Sequence, residues 1–174
     1  MEPSPMSESE FDKLIHENQG IIWQICRTFC RNQEDRKDLF QDVVLKLWNG
    51  NSSFKNQSKV STWIYRVGLN HAIDWSRKNK TPGVEMSESI INTKIQDATE
   101  PSQYDVEGLY LAINQLKPVE RAMVLMHLEQ ESYKVIADVI GISTKNVSVR
   151  LVRIKEKLKK LYKQATQIKQ PQHG

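Results

Sequence analysis

The chain has 174 residues, 39% of them hydrophobic, and a net charge of +4, which suits one ordinary domain or two small ones. No apolar run nears the roughly 18 residues that span a bilayer, and the acidic start MEPSPMSESEFDK lacks the basic opening and apolar stretch of a secretory signal. A soluble cytosolic protein without membrane insertion is expected, and two cysteines with no recognisable His/Cys spacing exclude a disulfide framework and give no zinc site.

Ser7-x-x-Glu10 reads as a capping box. Phe11, Leu14, Ile15, Ile22, Ile25 and Phe29 follow at helical spacing up to about Asn32. Cys26 and Cys30, four apart on this helix, read as packed thiols. Asp35 is expected to cap a second helix whose stripe is Leu39, Phe40, Val43, Val44, Leu47 and Trp48, ending at Asn49-Gly50. After the polar loop NGNSSFKNQSKV, Ser61 or Thr62 opens a third helix, TWIYRVGLNHAIDWSRKN, closed by Thr81-Pro82-Gly83.

Residues 81–105 lack a sustained period and carry five acidic side chains against one basic, the composition of a flexible linker, with a short helical turn expected near Ile90. Helix signals return at Val106 to Leu116, and Pro118 suits the first position of the next helix. No stretch reads as a strand.

SYKVIADVIGISTKNVSVRLVRIKEKLKKLYK then combines two helical patterns around Gly-Ile-Ser. Ser132 can cap the first, Gly141 suits the left-handed position after it, and Ser143 can cap the second, which is a helix-turn-helix. Val147, Leu151, Ile154, Leu158 and Leu161 form one buried stripe, with Lys145, Asn146, Val149, Val152 and Arg153 opposite. A merely solvated basic face has no use for outward valines, whereas thymine methyls do. Nine basic residues against Glu156 alone from Lys145 onward suit phosphate neutralisation.

On the third helix Ile64, Val67, Gly68 and Trp75 share an apolar sector, and Trp63, Arg66, Asn70, Asp74 and Arg77 share another of about 80°. An aromatic for stacking, guanidinium groups for phosphates and an amide for a base edge suit unpaired DNA, with an exposed mixed face as the competing reading. His71 borders the apolar sector as a packed histidine. Asp38, Gln41, Asp42 and Lys46 line the polar side of DLFQDVVLKLWNG, where Asp42 and Lys46 are placed for an i,i+4 pair.

Taken in order, DLFQDVVLKLWNG, STWIYRVGLNHAIDWSRKN and INQLKPVERAMVLMHLEQESYKVIADVIGISTKNVSVRLVRIKEKL resemble the two-domain, extracytoplasmic-function type of bacterial RNA polymerase sigma factor. The likeness covers about residues 9–80 and 106–162. It implies an all-α fold of two small helical domains, sigma region 2 at 9–80 and helix-turn-helix sigma region 4 at 106–163, joined by the acidic linker at 81–105. By this resemblance Asp38, Gln41, Asp42 and Leu45 dock on the beta-prime clamp helices of core RNA polymerase. Phe54 to Lys59, Lys55 included, match the loop that takes a flipped minus 10 base, while Trp63, Arg66, Asn70 and Arg77 face the melted strand. Lys134, Ser143, Lys145, Asn146, Val149, Arg150, Val152 and Arg153 belong to the minus 35 reader, whose body sits on the beta flap.

The linker resembles the segment that threads toward the polymerase active site and RNA exit path. The resemblance implies no cofactor, metal or catalysis, action in the bacterial cytoplasm, and core polymerase, promoter DNA and an anti-sigma factor as candidate partners. Met126 departs from the family, standing where an Arg often touches DNA, and Lys134 is the nearby substitute. A conventional helix-turn-helix regulator would leave the first domain's stripe idle. A nucleic-acid hydrolase is the other rival class, but the sequence offers no Walker loop, no His/Cys metal cluster and no nucleophile with a placed base.

Overall fold

The computed structural model describes residues 6–54, 58–79 and 106–167. Helix α1 (Glu8–Phe29) starts in the expected capping box: Ser7 Oγ accepts from the Glu10 N–H at 3.4 Å, and the Ser7 N–H donates to Glu10 Oε2 at 2.9 Å. It stops at Cys30, whose backbone turns extended. Helix α2 (Gln33–Gly50) is capped by Asn32, not Asp35; Asn32 Oδ1 accepts from the Asp35 N–H at 2.7 Å. Asn32 has the extended backbone a cap requires, while Asp35 falls inside the first turn, where its charge favours the helix start. Arg36 ties the connection by donating to the Cys30 and Arg31 carbonyls at 3.1 and 2.9 Å.

A 3-10 turn (Asn51–Ser53) precedes α3 (Val60–Lys78), which begins just before the expected Ser61 with Lys59 as a cap that makes no side-chain hydrogen bond. The three helices bury Ile22, Ile25, Leu39, Val43, Leu47 and Ile64 completely, each contributing about 1.5–3 kcal/mol. They crowd together at Gly68, where a Cβ would lie 2.8 Å from Ile25 Cδ1 and 3.4 Å from Val43 Cγ1. Cys26 and Cys30 are free and buried, and burial pushes both thiols up to about 12, the setting of packed rather than activated thiols.

The second unit comprises α4 (Val106–Ile113), α5 (Pro118–Leu128), α6 (Tyr133–Ile140) and α7 (Thr144–Gln167). Pro118 holds the first position of α5. Ser132 Oγ accepts from the Val135 N–H and Ser143 Oγ from the Asn146 N–H, both at 3.2 Å. Gly141, at φ 78°, supplies the left-handed residue between α6 and α7. Val147, Leu151 and Ile154 are buried and Leu158 and Leu161 half-buried, as the stripe requires. Arg121 knots the α4–α5 turn by donating to the Leu116 and Asn114 carbonyls at 2.9 and 2.5 Å.

Among the described residues the architecture is all helix and turn, as expected. The two units also pack on each other: α5 contacts α1 and α3, α6 contacts α3, and α4 contacts α1. Hence α3 is buried on more sides than one domain demands, with Tyr65, Leu69, Ala72 and Ile73 inaccessible beyond the expected sector. Lys55, the linker and the turn near Ile90 lie outside the described residues.

Candidate nucleic-acid interface

Three surfaces carry the chemistry. At the start of α7, the cap at Ser143 leaves Lys145, Asn146, Val149, Arg150, Val152 and Arg153 all exposed, with Val149 45% and Val152 58% accessible. Two solvent-facing valines among cations offer methyl contacts beside hydrogen-bond donors. Ser143 Oγ accepts in the cap, so only its hydroxyl proton is free to donate to a phosphate. Lys134 is exposed on α6. Met126 is wholly buried, so the departure from the family pattern places a core side chain there.

Lys157 points elsewhere. Its Nζ lies 2.8 Å from Glu120 Oε2, joining α7 to α5. Burial would raise the Glu120 carboxyl, but the Lys157 hydrogen bond and the Lys117 N–H outweigh it and hold the group below the usual carboxylate range. Lys159 and Lys160 remain exposed.

On α3, Arg66, Asn70, Asp74 and Arg77 are exposed and follow one another along the helix, with Arg77 Nη1 3.7 Å from Asp74 Oδ1. The expected stacking aromatic does not join them. Trp63 is only 6% exposed and lies against Phe54 with ring centroids 4.8 Å apart, because the loop after α2 folds its aromatic ring back over the helix start. Lys59 stays exposed at the cap. Asn70, Ile73, Asp74 and Arg77 line a cleft of about 250 Å³ whose other wall is Val119 of α5 and Ile140 of α6.

On α2, Asp38, Gln41, Asp42 and Leu45 are all exposed, Leu45 by 56%. Asp42 faces α3, its Oδ2 3.6 Å from His71 Nε2, a nitrogen with no hydrogen-bond partner among the described residues, and the expected Lys46 partner is not in contact range. An apolar groove of about 530 Å³ runs beside them, lined by Phe11 and Asp12 of α1 and Phe40, Val44, Leu45 and Trp48 of α2. Trp23 stacks on Phe40 at 4.4 Å and is itself 40% exposed. The sequence reading did not mark this aromatic ridge, although Trp23 stands one residue off the buried stripe of α1.

No group of three or more His, Cys, Asp or Glu side chains is arranged to hold a metal among the described residues. In the same residues no helix is long and apolar enough to cross a membrane.

Comparison with known proteins matches residues 14–81 to Sigma-70 region 2 and residues 107–158 to Sigma-70, region 4. The chain is 30% identical over 136 residues to the RNA polymerase sigma factor YlaC of Bacillus subtilis, covering 73% of this chain and 77% of that one. It is 24% identical over 153 residues to the ECF RNA polymerase sigma factor SigM of Mycobacterium tuberculosis, covering 87% and 76%. In fold it resembles the sigma factor RpoE of Bartonella quintana, solved with the anti-sigma factor NepR, at a TM-score of 0.66 and 21% identity over 88% of this chain and 97% of that one. CnrH, solved with the cytosolic domain of CnrY, gives a TM-score of 0.63 at 20% identity over 89% and 88%.

Proposed function

Because the chain belongs to the sigma-70 family of RNA polymerase sigma factors, in its extracytoplasmic-function group, and so recognises promoters and initiates transcription with RNA polymerase, we propose how its surfaces divide that work. The α7 face of Lys145, Asn146, Val149, Arg150, Val152 and Arg153 reads the minus 35 element. Lys134, Ser143, Lys159 and Lys160 serve phosphates. Arg66, Asn70 and Arg77 hold the melted minus 10 strand together with Lys59 and the Phe54 loop, and the buried Trp63 supports that loop. Asp38, Gln41, Asp42 and Leu45 dock on the beta-prime clamp helices, with the Trp23–Phe40 ridge and its groove as apolar neighbours, while the body of the second domain sits on the beta flap.

The observation that carries this reading is the exposed α7 face directly behind its Ser143 cap, since a recognition helix enters the major groove by its N-terminal part. Promoter selection from a randomised library with core polymerase tests it. Asn146→Ala or Arg153→Ala should cost about 1–3 kcal/mol on the preferred minus 35 sequence and flatten preference at one position. Unchanged preference in both variants would remove the face from the reader role. The chain acts without catalysis of its own, in the bacterial cytoplasm. An anti-sigma factor is a further partner, in line with the complexes of the two structural relatives, and co-purification from the native host tests this.

A further inference from the structure

We propose that His71 is a positioning residue for core polymerase: its Nε2 is a donor held in reserve behind the α2 docking face, and it closes onto Asp42 Oδ2 when polymerase strips the water from that carboxylate. The inference deepens, and rests on, the reading of Asp38, Gln41, Asp42 and Leu45 as polymerase-docking residues given above.

The crossing of α2 and α3 brings the two side chains together. Gly68 lets α3 lie so close to α2 that a Cβ there would be 3.4 Å from Val43 Cγ1. Asp42 directly precedes Val43, and His71 lies one turn beyond Gly68, so the tight contact fixes which groups oppose one another. His71 Nε2 and Asp42 Oδ2 end 3.6 Å apart. Asp42 is the only carboxylate in ion-pair range of that nitrogen among the described residues.

The two groups stand in different surroundings. The Asp42 side chain is 53% exposed and keeps its water, whereas that of His71 is 22% exposed, with Nε2 sealed off and bonded to nothing among the described residues. A sealed nitrogen without a partner is a liability to the free chain that a methyl group in its place would not carry. The separation exceeds the about 2.7–3.2 Å of an N–H···O bond by less than a small side-chain rotation of Asp42 supplies.

In the free chain, water competes for the carboxylate and closure gains little. A partner seated on α2 removes that water, and a hydrogen bond to a charged oxygen strengthens as its surroundings become less polar. In the Nε2–H tautomer His71 then holds Oδ2 from behind and leaves Oδ1 to accept from a donor of the polymerase. The histidine touches no partner atom itself; it fixes the carboxylate that does.

The test titrates full-length variants against core polymerase from the native host. His71→Leu keeps bulk and removes the donor. Because Nε2 has no partner to lose in the free chain, the unfolding midpoint should hold or rise, while Kd for core polymerase weakens about ten-fold, the weight of one hydrogen bond to a charged group. His71→Gln places an amide N–H near the Nε2 position and should restore most of the affinity; His71→Asn, whose amide reaches only the Nδ1 position, should not. In a double-mutant cycle, His71→Leu should cost nothing further once Asp42 is replaced by Ala, yet keep its full cost when Asp38 is replaced instead. Undiminished core affinity of folded His71→Leu, or an equal cost of that change with and without Asp42, would overturn the proposal. Should His71→Leu fail to fold, equal affinities of the Gln and Asn variants would decide against it. Asp42→Ala with undiminished core affinity would remove the docking reading and the inference with it, whereas a weakened Asp42→Ala beside an inert His71→Leu removes the inference alone.

Discussion

Lys157→Met keeps the aliphatic stem and removes the ammonium that lies 2.8 Å from Glu120 Oε2. A hydrogen bond to a charged group is worth about 1.5–3 kcal/mol. Here the Lys157 side chain is 42% exposed and that of Glu120 26%, so solvent screening reduces the expected loss to about 1 kcal/mol. Glu120 keeps its bond from the Lys117 N–H at 2.9 Å and is not orphaned. For a chain of this size the loss lowers Tm by about 2–4 °C. The pH dependence has a definite sign. The folded carboxyl lies below its ordinary value, so its contribution is complete above the ordinary carboxylate range and disappears as pH falls through the folded value. The difference in Tm between wild type and variant, measured by thermal unfolding, should close in acid. The slope of promoter affinity against salt should not change, because each phosphate contact accounts for about 0.9 of that slope and Lys157 makes none. A slope reduced by about 0.9 with Tm unchanged would refute the assignment and place Lys157 on DNA.

Asn70→Ala should depress holoenzyme initiation strongly on closed promoters and far less on templates with a pre-opened bubble; equal loss on both would count against a melting role. Replacing Asp38 and Asp42 together by Lys inverts the charge on the open face of α2 and should abolish pull-down of core polymerase while circular dichroism shows the free chain still folded. Gly68→Ala places a methyl 2.8 Å from Ile25 Cδ1 and should destabilise by about 1–3 kcal/mol in denaturant unfolding, whereas an unchanged midpoint would mean that the three helices separate freely at this crossing.

Local signals in the sequence located most of the helices. Ser7 with Glu10, Ser132, Gly141 and Ser143 each act through hydrogen bonds or backbone angles within a few residues, so their pattern carries their structure. The outward face of α7 was legible for the same reason, since helical period alone separates Val149 and Val152 from Val147 and Leu151. What escaped depends on distant partners. Trp63 falls in the same helical sector as Arg66 and Asn70, but it is buried in the fold with the Phe54 ring against it. Ile73 lies outside the apolar sector of α3 and lines a cleft with Val119 and Ile140 of the second domain, contacts that no local period encodes. Lys157 sits among interchangeable lysines until Glu120, 37 residues earlier, selects it.

Helices α5 and α6 both end in left-handed residues and use the same closure with different side chains. After α6 the residue is Gly141, with Ile142 N–H bonded to Ala137 O at 3.1 Å; after α5 it is Gln130, at φ 61°, with Glu131 N–H bonded to Met126 O at 3.0 Å. An ordinary side chain in this conformation costs about 1–2 kcal/mol that glycine does not incur. Gln130 is exposed and is none of the residues proposed above for docking or DNA, so Gln130→Gly should raise the denaturation midpoint. For anyone engineering a sturdier promoter-selective factor, position 130 offers a gain in robustness that leaves core packing and sequence preference as they are.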